Sequence, residues 1–332
     1  MKVCVLGGGS WGITIAALLH DNGHDVRIWE FNPDDAEVLR STREHVTKLP
    51  GVILSNDILI TSDVKKAAHD AEIVFFVVPS HTVRASSKLL GEISGRDFIA
   101  VNCAKGIENE TFQRMSEVIA SEMPALETGR IMTLSGPSHA EEVSRKVPTS
   151  VVIAGTSESI SKEVQVILNN EYFRVYTSTD IVGVELGGSV KNIIAIAAGI
   201  SHGLGFGDNT SGALITRGLA EIVRLGKSLG ADPMTFSGLS GLGDLVTTCM
   251  SRHSRNRYVG EQIGKGQTLT EVLANMVMVA EGVKTTRSVF HFSRKLGVEM
   301  PITEQVHSIL FEEKDPLMAV SDLMKRDLKP EM

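Results

Sequence analysis

The chain opens "KVCVLGGGSWGITIAALLHDNG": an apolar run of strand length, a glycine-rich turn, then a helical apolar pattern. No other stretch narrows the fold as far. Gly7, Gly9 and Gly12 stand as G-x-G-x-x-G between strand and helix. The first glycine permits a tight turn, the second lets a pyrophosphate approach the backbone, and the third lets the helix pack closely, with the anion on the helix N-terminus. A second run, "DVRIWE", ends at Glu30, 18 residues beyond Gly12 and close to the ~20 at which an acid holds an adenine-ribose diol. The alternative for Glu30 is a solvated acid at a strand end. Further short β-rich runs, "DILITSD", "EIVFFVV", "FIAVNC", "IMTLSG" and "SVVIAG", alternate with polar helical patterns as far as Thr177. That alternation predicts an α/β, doubly wound parallel sheet of Rossmann type over residues 1–177, a dinucleotide-binding domain.

After Asp180 the runs lengthen to helical size and β-branched alternation fades, as in "VGVELGGSVKNIIAIAAGI" and "GALITRGLAEIVRLGKSLG". An all-α second domain is therefore expected over residues 178–332, and 332 residues suffice for two packed domains. The net charge of −7 argues against a nucleic-acid partner. Cys4, Cys103 and Cys249 are odd in number and widely spaced, so neither a disulfide framework nor a metal site is expected, and the compartment is read as reducing and cytoplasmic. The chain enters a strand at its second residue, so no leader is expected. Apolar runs such as "IIAIAAGI" stop short of the ~20 residues of a membrane span.

Within "GGSVKNIIAIAAGI" stands one ammonium, Lys191, in a helix apolar on nearly every face. Burying it is costly. Helical side chains lean back over the preceding turn, which for Lys191 is Gly187 and Gly188. The bare glycines would leave a notch large enough for a small substrate, and partial desolvation would lower the lysine towards neutrality, as proton transfer requires. The other reading is that a second element packs against the glycine face. "SGLGDLVTTC" places Asp244 and Thr248 one helical turn apart, where a carboxylate could orient an ammonium. "SRHSRNRYVG" clusters Ser254, Arg255 and Asn256, which suits phosphate recognition or, alternatively, a solvated loop. Ligands of such sheets lie at the carboxyl ends of strands, where Lys105 and the residues Gly136, Ser138 and Ala140 also stand. His202 would be a familiar kind of base. It lies about 16 Å beyond Lys191 along a continuous helix and cannot share its site.

On these motifs, with "VVPSH", "AKGIE", "LSGPSHAEEV", "ELGGSVKNIIAIAAGISHGLGFGDN", "GLGDLVTTCMSRHSRNR" and "VAEGV", the sequence resembles the bacterial NAD(P)-dependent glycerol-3-phosphate dehydrogenase family over essentially its whole length. The resemblance implies a Rossmann domain followed by a helical domain like the C-terminal one of 6-phosphogluconate dehydrogenase. It also implies reversible reduction of dihydroxyacetone phosphate to sn-glycerol 3-phosphate, with NAD or NADP, for phospholipid synthesis. Lys191 would be the proton acceptor, Lys105 and Asn192 would contact substrate, and Asp244 and Thr248 would hold Lys191. Gly136, Ser138, Ser254, Arg255 and Asn256 would surround the glycerol phosphate. Ser10, Trp11, Ala140, Val279 and Glu281 would line the cofactor, with Lys105 and Arg255 reaching both ligands. The implied partners are the small-molecule substrate and, as an assembly the residues leave open, a second copy in a homodimer.

The sequence departs from the family pattern in two places. His139 stands where a phenylalanine is common, and "WEFNP" replaces a "W-A-R-x-P"-like run, which leaves Glu30 followed by Phe31 and favours NAD. Two other readings stay open: a related two-domain hydroxyacid dehydrogenase, and a dinucleotide-sensing module without chemistry.

Overall fold

The computed structural model describes residues 1–92, 97–276, 278–328 and 330–331. Eight strands form one sheet: β1 Lys2–Leu6, β2 Asp25–Trp29, β3 Leu59–Thr61, β4 Ile73–Phe76, β5 Ile99–Asn102, β6 Ile131–Ser135, β7 Thr149–Ala154 and β8 Phe173–Ser178. Their order is β3-β2-β1-β4-β5-β6-β7-β8, with β1 at the reversal point. The flanking helices are α1 Ser10–Asp21, α2 Pro33–Thr42, α3 Val64–Ala68, α4 Val83–Gly91, α5 Met115–Glu122, α6 Ala140–Val143 and α7 Glu158–Leu168. Val3, Val5 and Phe75 enter one buried cluster and Cys4, Leu6, Val74 and Phe76 another. Both faces of the sheet are thus covered, which is why its central strands read as unbroken apolar runs.

The all-parallel expectation fails at one seam. β6 and β7 are antiparallel, Thr133 standing opposite Ala154, whereas β7 and β8 run parallel to each other. A parallel return needs a crossover along the sheet, and the β6–β7 connection carries only the four-residue α6. The eighth strand, "FRVYTS", was not among the expected runs; Phe173 and Val175 are buried while Arg174 and Tyr176 are exposed, the alternation of a half-covered edge.

β8 ends at Ser178 and the chain continues through α8 Ile181–Gly203, α9 Asp208–Ser228, α10 Asp244–Met250, α11 Arg255–Gly264, α12 Leu269–Ala274, α13 Glu281–Leu296, α14 Pro301–Phe311 and α15 Pro316–Met324. α8 is the axis of this half. The apolar run expected to be too short for a membrane is part of a 23-residue helix that is long and apolar enough by length and composition to cross one. It is instead enclosed by its neighbours, with every residue from Gly183 to Ile196 buried. Glycines let α11 lie directly on it. A Cβ at Gly199 would come within 2.0 Å of the Arg257 carbonyl oxygen, and one at Gly260 within 1.9 Å of the Ile196 carbonyl oxygen. The close crossing puts Ser254 and Arg255, at the start of α11, near the axis that carries Lys191.

Candidate active site

The glycine turn after β1 has the geometry its spacing predicts. Gly7 has φ +114° and a Cβ there would strike the Val77 carbonyl oxygen at 2.6 Å; a Cβ at Gly12 would lie 1.9 Å from the Gly7 carbonyl oxygen. Over Gly9, by contrast, a Cβ would meet nothing within 4 Å. Gly9 caps α1 without a side-chain hydrogen bond, and Ser10 and Trp11 form its first turn, so backbone N–H groups at a helix N-terminus face open space. The turn therefore fits the pyrophosphate of a dinucleotide. Glu30 is fixed beside it: Oε2 accepts from the Gly8 N–H at 2.9 Å and Oε1 from the Asn32 N–H at 3.1 Å. It is neither a freely solvated acid nor fully committed, because each oxygen keeps a lone pair. Phe31 is 77% exposed and rests edge-on against Trp29.

The other residues expected at the cofactor lie on this same side. Ala140 begins α6, and its carbonyl accepts from the Thr14 hydroxyl of α1 at 3.4 Å. Glu281 begins α13, and its Oε1 accepts from the Ser80 N–H at 2.8 Å, tying the helical half to the turn after β4. Val279, just before it, is exposed.

At the centre stands a carboxylate between two ammoniums. Lys191 Nζ donates to Asp244 Oδ1 at 2.5 Å and to Thr248 Oγ1 at 2.6 Å. Lys105 Nζ donates to Asp244 Oδ2 at 2.7 Å and to the Gly136 carbonyl at 3.1 Å. A single π turn, Leu239–Gly243, precedes α10 and sets Asp244 at its first position, an irregularity often found at functional sites. Burial, reinforced by the Lys105 ammonium and opposed by Asp244, pulls Lys191 down to about 8. Burial would raise Asp244, but the two ammoniums outweigh it and hold the carboxyl below its ordinary range. The result is an amine that can exchange a proton near neutrality beside a carboxylate that stays charged.

The expected notch under Lys191 is filled. A Cβ at Gly187 would strike the Ser240 carbonyl oxygen at 2.6 Å, and one at Gly188 the Ser135 hydroxyl at 2.5 Å with the Lys105 stem beyond. The glycines admit the π turn and the end of β6, not a substrate, and it is this close approach that brings Asp244 and Lys105 up to Lys191. Substrate must enter from another side. Asn192, beside Lys191, is 4% exposed, and its amide makes no hydrogen bond within the described residues.

The phosphate cluster divides. Ser254 is buried and caps α11, its hydroxyl accepting from the Arg257 N–H at 3.2 Å, and Asn256 Oδ1 accepts from the Gly282 N–H at 2.9 Å. Both hold backbone. Arg255, at the first position of α11, is exposed and is the cation of the three. Ser138 donates to the Gly136 carbonyl at 3.0 Å, and Gly136 has φ +133°, a conformation that favours glycine. His202 lies near the end of an unbroken α8, away from Lys191.

A buried acid beside the site escaped the sequence reading. Glu185, two turns before Lys191 on α8, accepts from Arg114 Nη1 at 2.7 Å, the Ser116 N–H at 2.8 Å, Ser116 Oγ at 2.6 Å and Asn102 Nδ2 at 3.3 Å. Asn102 Oδ1 in turn accepts from the Ala104 N–H at 3.0 Å, next to Lys105. These bonds lock α8 to the end of β5 and so set the two lysines relative to each other. The signal that singled out Lys191, a charge inside an apolar helical run, applies to Glu185 as well.

Comparison with known proteins covers both halves. The profile of the N-terminal part of NAD-dependent glycerol-3-phosphate dehydrogenase matches residues 2–161 and that of its C-terminal part matches residues 180–321. Glycerol-3-phosphate dehydrogenase (NAD(P)+) of Chlorobium phaeobacteroides (strain BS1) is 54% identical over 332 residues, 100% of this chain and 99% of that protein. The protein of the same name from Prosthecochloris aestuarii is also 54% identical, over 100% of both. Among solved structures, glycerol-3-phosphate dehydrogenase from Coxiella burnetii superposes with a TM-score of 0.94 at 36% identity, covering 98% of each chain.

Proposed function

Because the chain belongs to the NAD-dependent glycerol-3-phosphate dehydrogenase family along both its halves, we propose that it catalyses reversible oxidation of sn-glycerol 3-phosphate to dihydroxyacetone phosphate, with Lys191 handling the proton of the C2 oxygen. Residues 1–177 would hold the dinucleotide and 178–332 would complete the substrate site. Run in the direction of reduction, the reaction would supply glycerol 3-phosphate to phospholipid synthesis in the cytoplasm, a compartment in keeping with three buried, unpaired thiols. The observation that carries the chemistry is the buried Lys191 ammonium, drawn down to about 8 and held by Asp244 and Thr248. A spectrophotometric assay should show NADH or NADPH oxidised when dihydroxyacetone phosphate is added; no oxidation of either would overturn the reading.

The residues divide the work as follows. Gly7, Gly9, Ser10 and Trp11 would hold the pyrophosphate, with Gly12 letting α1 pack closely beneath it, Glu30 would hold the adenine ribose, and Ala140, Val279 and Glu281 the remainder of the dinucleotide. When bound, that group supplies the acceptor or donor of the hydride. In oxidation, neutral Lys191 takes the proton of the C2 hydroxyl as the C2 hydride departs; in reduction, the ammonium returns it. Lys105 and Asn192 would steady the C2 oxygen and its neighbours, while Asp244 and Thr248 keep Lys191 aimed. Gly136, Ser138, Ser254 and Asn256 would shape the pocket, and Arg255 would meet the phosphate and reach towards the dinucleotide.

Arg255→Ala should raise KM for dihydroxyacetone phosphate by about tenfold to hundredfold, the scale of one hydrogen bond to a charged group. Turnover of unphosphorylated dihydroxyacetone should change little. Equal losses on both substrates would assign the phosphate contact elsewhere, with Lys105 next in line.

NAD is the favoured cofactor. The Glu30 carboxylate is fixed just past the end of β2, and the neighbouring guanidiniums are engaged elsewhere: Arg27 donates to the His69 carbonyl at 2.5 Å, Arg40 pairs with Glu37, and Arg43 donates to the Ile58 carbonyl at 2.8 Å. A 2′-phosphate would meet a like charge there, whereas a 2′-hydroxyl can donate to it. The expected preference for NADH over NADPH is about tenfold to hundredfold in kcat/KM. Glu30→Ala combined with Phe31→Arg should narrow or reverse it. The idea is sunk if the unmodified enzyme uses NADPH as well as NADH at one ionic strength.

A further inference from the structure

Two buried polar atoms, Ser135 Oγ at the end of β6 and His139 Nε2 on the turn that follows, have no hydrogen-bond partner. Such an atom bears its full desolvation cost unless a partner arrives from outside the chain. Ser135 lies against Gly188, beneath the lysine pair. His139 stands at the other end of the turn, capping α6, directly before Ala140. Facing it from the helical half is His253: the two ring centroids are 6.1 Å apart and the planes are tilted by 52°. His253 sits on the connection between α10 and α11, its N–H donating to Ser251 Oγ at 3.0 Å, and it is followed by Ser254 and Arg255. His139 thus lies within the field of Lys191, Lys105 and Asp244, and an imidazole from the helical half faces it two residues before Arg255.

We propose that His139 and His253 form a two-imidazole clamp on the phosphate of the substrate, adding a proton-linked contact to that of Arg255; this rests on the glycerol 3-phosphate reading above. The rings are too far apart to stack against each other, yet near enough for a nitrogen of each to donate to different oxygens of one tetrahedral anion. Rotation about the last side-chain torsion, which is soft for histidine, can bring either nitrogen to the cleft. Charge sets the direction of the linkage. Burial and the ammoniums of Lys191 and Lys105 disfavour a protonated His139, while Glu141 on its own helix and Asp244 on α10 favour it; His253 is the titratable group opposite. A phosphate dianion placed between the rings shifts this balance towards the imidazolium. Binding of the dianion should therefore carry a proton onto His139, whose charged form is disfavoured without it, and affinity for the dianion should weaken as the pH rises.

The test uses the full-length enzyme loaded with NADH and titrated with glycerol 3-phosphate, a combination that cannot react. Calorimetry at pH 6.5 in two buffers of different ionisation enthalpy gives the protons taken up. The unmodified enzyme should take up measurably more than His139→Phe. His139→Phe and His253→Leu should each raise KM for dihydroxyacetone phosphate by about fivefold to tenfold, the loss of one hydrogen bond, with a smaller effect on free dihydroxyacetone and kcat within about threefold. His139→Gln retains an N–H donor but not the proton, so it should recover most of the affinity and none of the proton uptake, a pattern that loss of packing cannot produce. Unchanged proton uptake, with KM within about twofold in all three variants, would overturn the clamp while leaving the proposed reaction standing. Failure of the unmodified enzyme to turn over dihydroxyacetone phosphate would overturn the reaction itself, and the clamp with it.

Discussion

Lys191→Ala is expected to lower kcat by at least about 100-fold, the usual scale for loss of an acid–base group, while the affinity for NADH stays nearly unchanged. The variant should fold, because Asp244 keeps Lys105 as a partner at 2.7 Å and is not left as an unpaired buried charge. The unmodified enzyme should also show the lysine in its pH profile. Oxidation of glycerol 3-phosphate needs the neutral amine, so kcat/KM should rise with pH through a midpoint of about 8; reduction needs the ammonium and should fall over the same range. Because kcat/KM reports groups of the free enzyme, that limb should vanish from the residual activity of Lys191→Ala. Near-normal turnover by the folded variant would remove Lys191 from the chemistry.

Asp244→Ala should be damaging in a second way. It leaves two ammoniums side by side, one of them 5% exposed, with no carboxylate between them. Removing one member of a buried ion pair typically costs about 3–5 kcal/mol, and that loss should appear in urea unfolding as a lower midpoint with an unchanged slope. Where the protein remains folded, Lys191 should lose its proton at still lower pH, since the group that favours its charged form is gone. Reduction of dihydroxyacetone phosphate at pH 7 should then fall more steeply than oxidation. Asp244→Asn, which preserves shape and one acceptor, should lose less stability but a similar share of activity. Unfolding of Asp244→Ala within about 0.5 kcal/mol of the unmodified protein, the spread of an ordinary surface substitution, would show that the buried carboxylate does not hold the site together.

Much of the fold could be read from local pattern. Unbroken apolar runs spaced by helical segments marked a sheet covered on both faces, and Gly7, Gly9 and Gly12 have the three environments their positions imply: a left-handed turn, open space and close packing. Asp244 and Thr248 were legible as one face of a helix, and the Thr248 hydroxyl donates to the Asp244 carbonyl at 2.6 Å. Less was legible about Glu30, whose residue type and position gave a ribose ligand but not its two backbone bonds. Ser254 and Asn256 read as phosphate donors because of their chemistry, yet their hydrogen bonds go to the starts of α11 and α13.

The sequence alone determined which segments become strand, glycine turn and buried helix, and which residue types could do chemistry, because periodicity and turn preference act over a few neighbouring residues. Tertiary structure decided what those residues meet. Asp244 reaches Lys191 across 53 residues and Lys105 across 139, and no local pattern encodes either approach. The same holds for Gly187 and Gly188. Bare glycines on a helix read equally well as an empty notch or as a packing face. The Ser240 carbonyl and the Ser135 hydroxyl, delivered from distant parts of the chain, made them a packing face, since an interior filled to crystal density leaves few such gaps open.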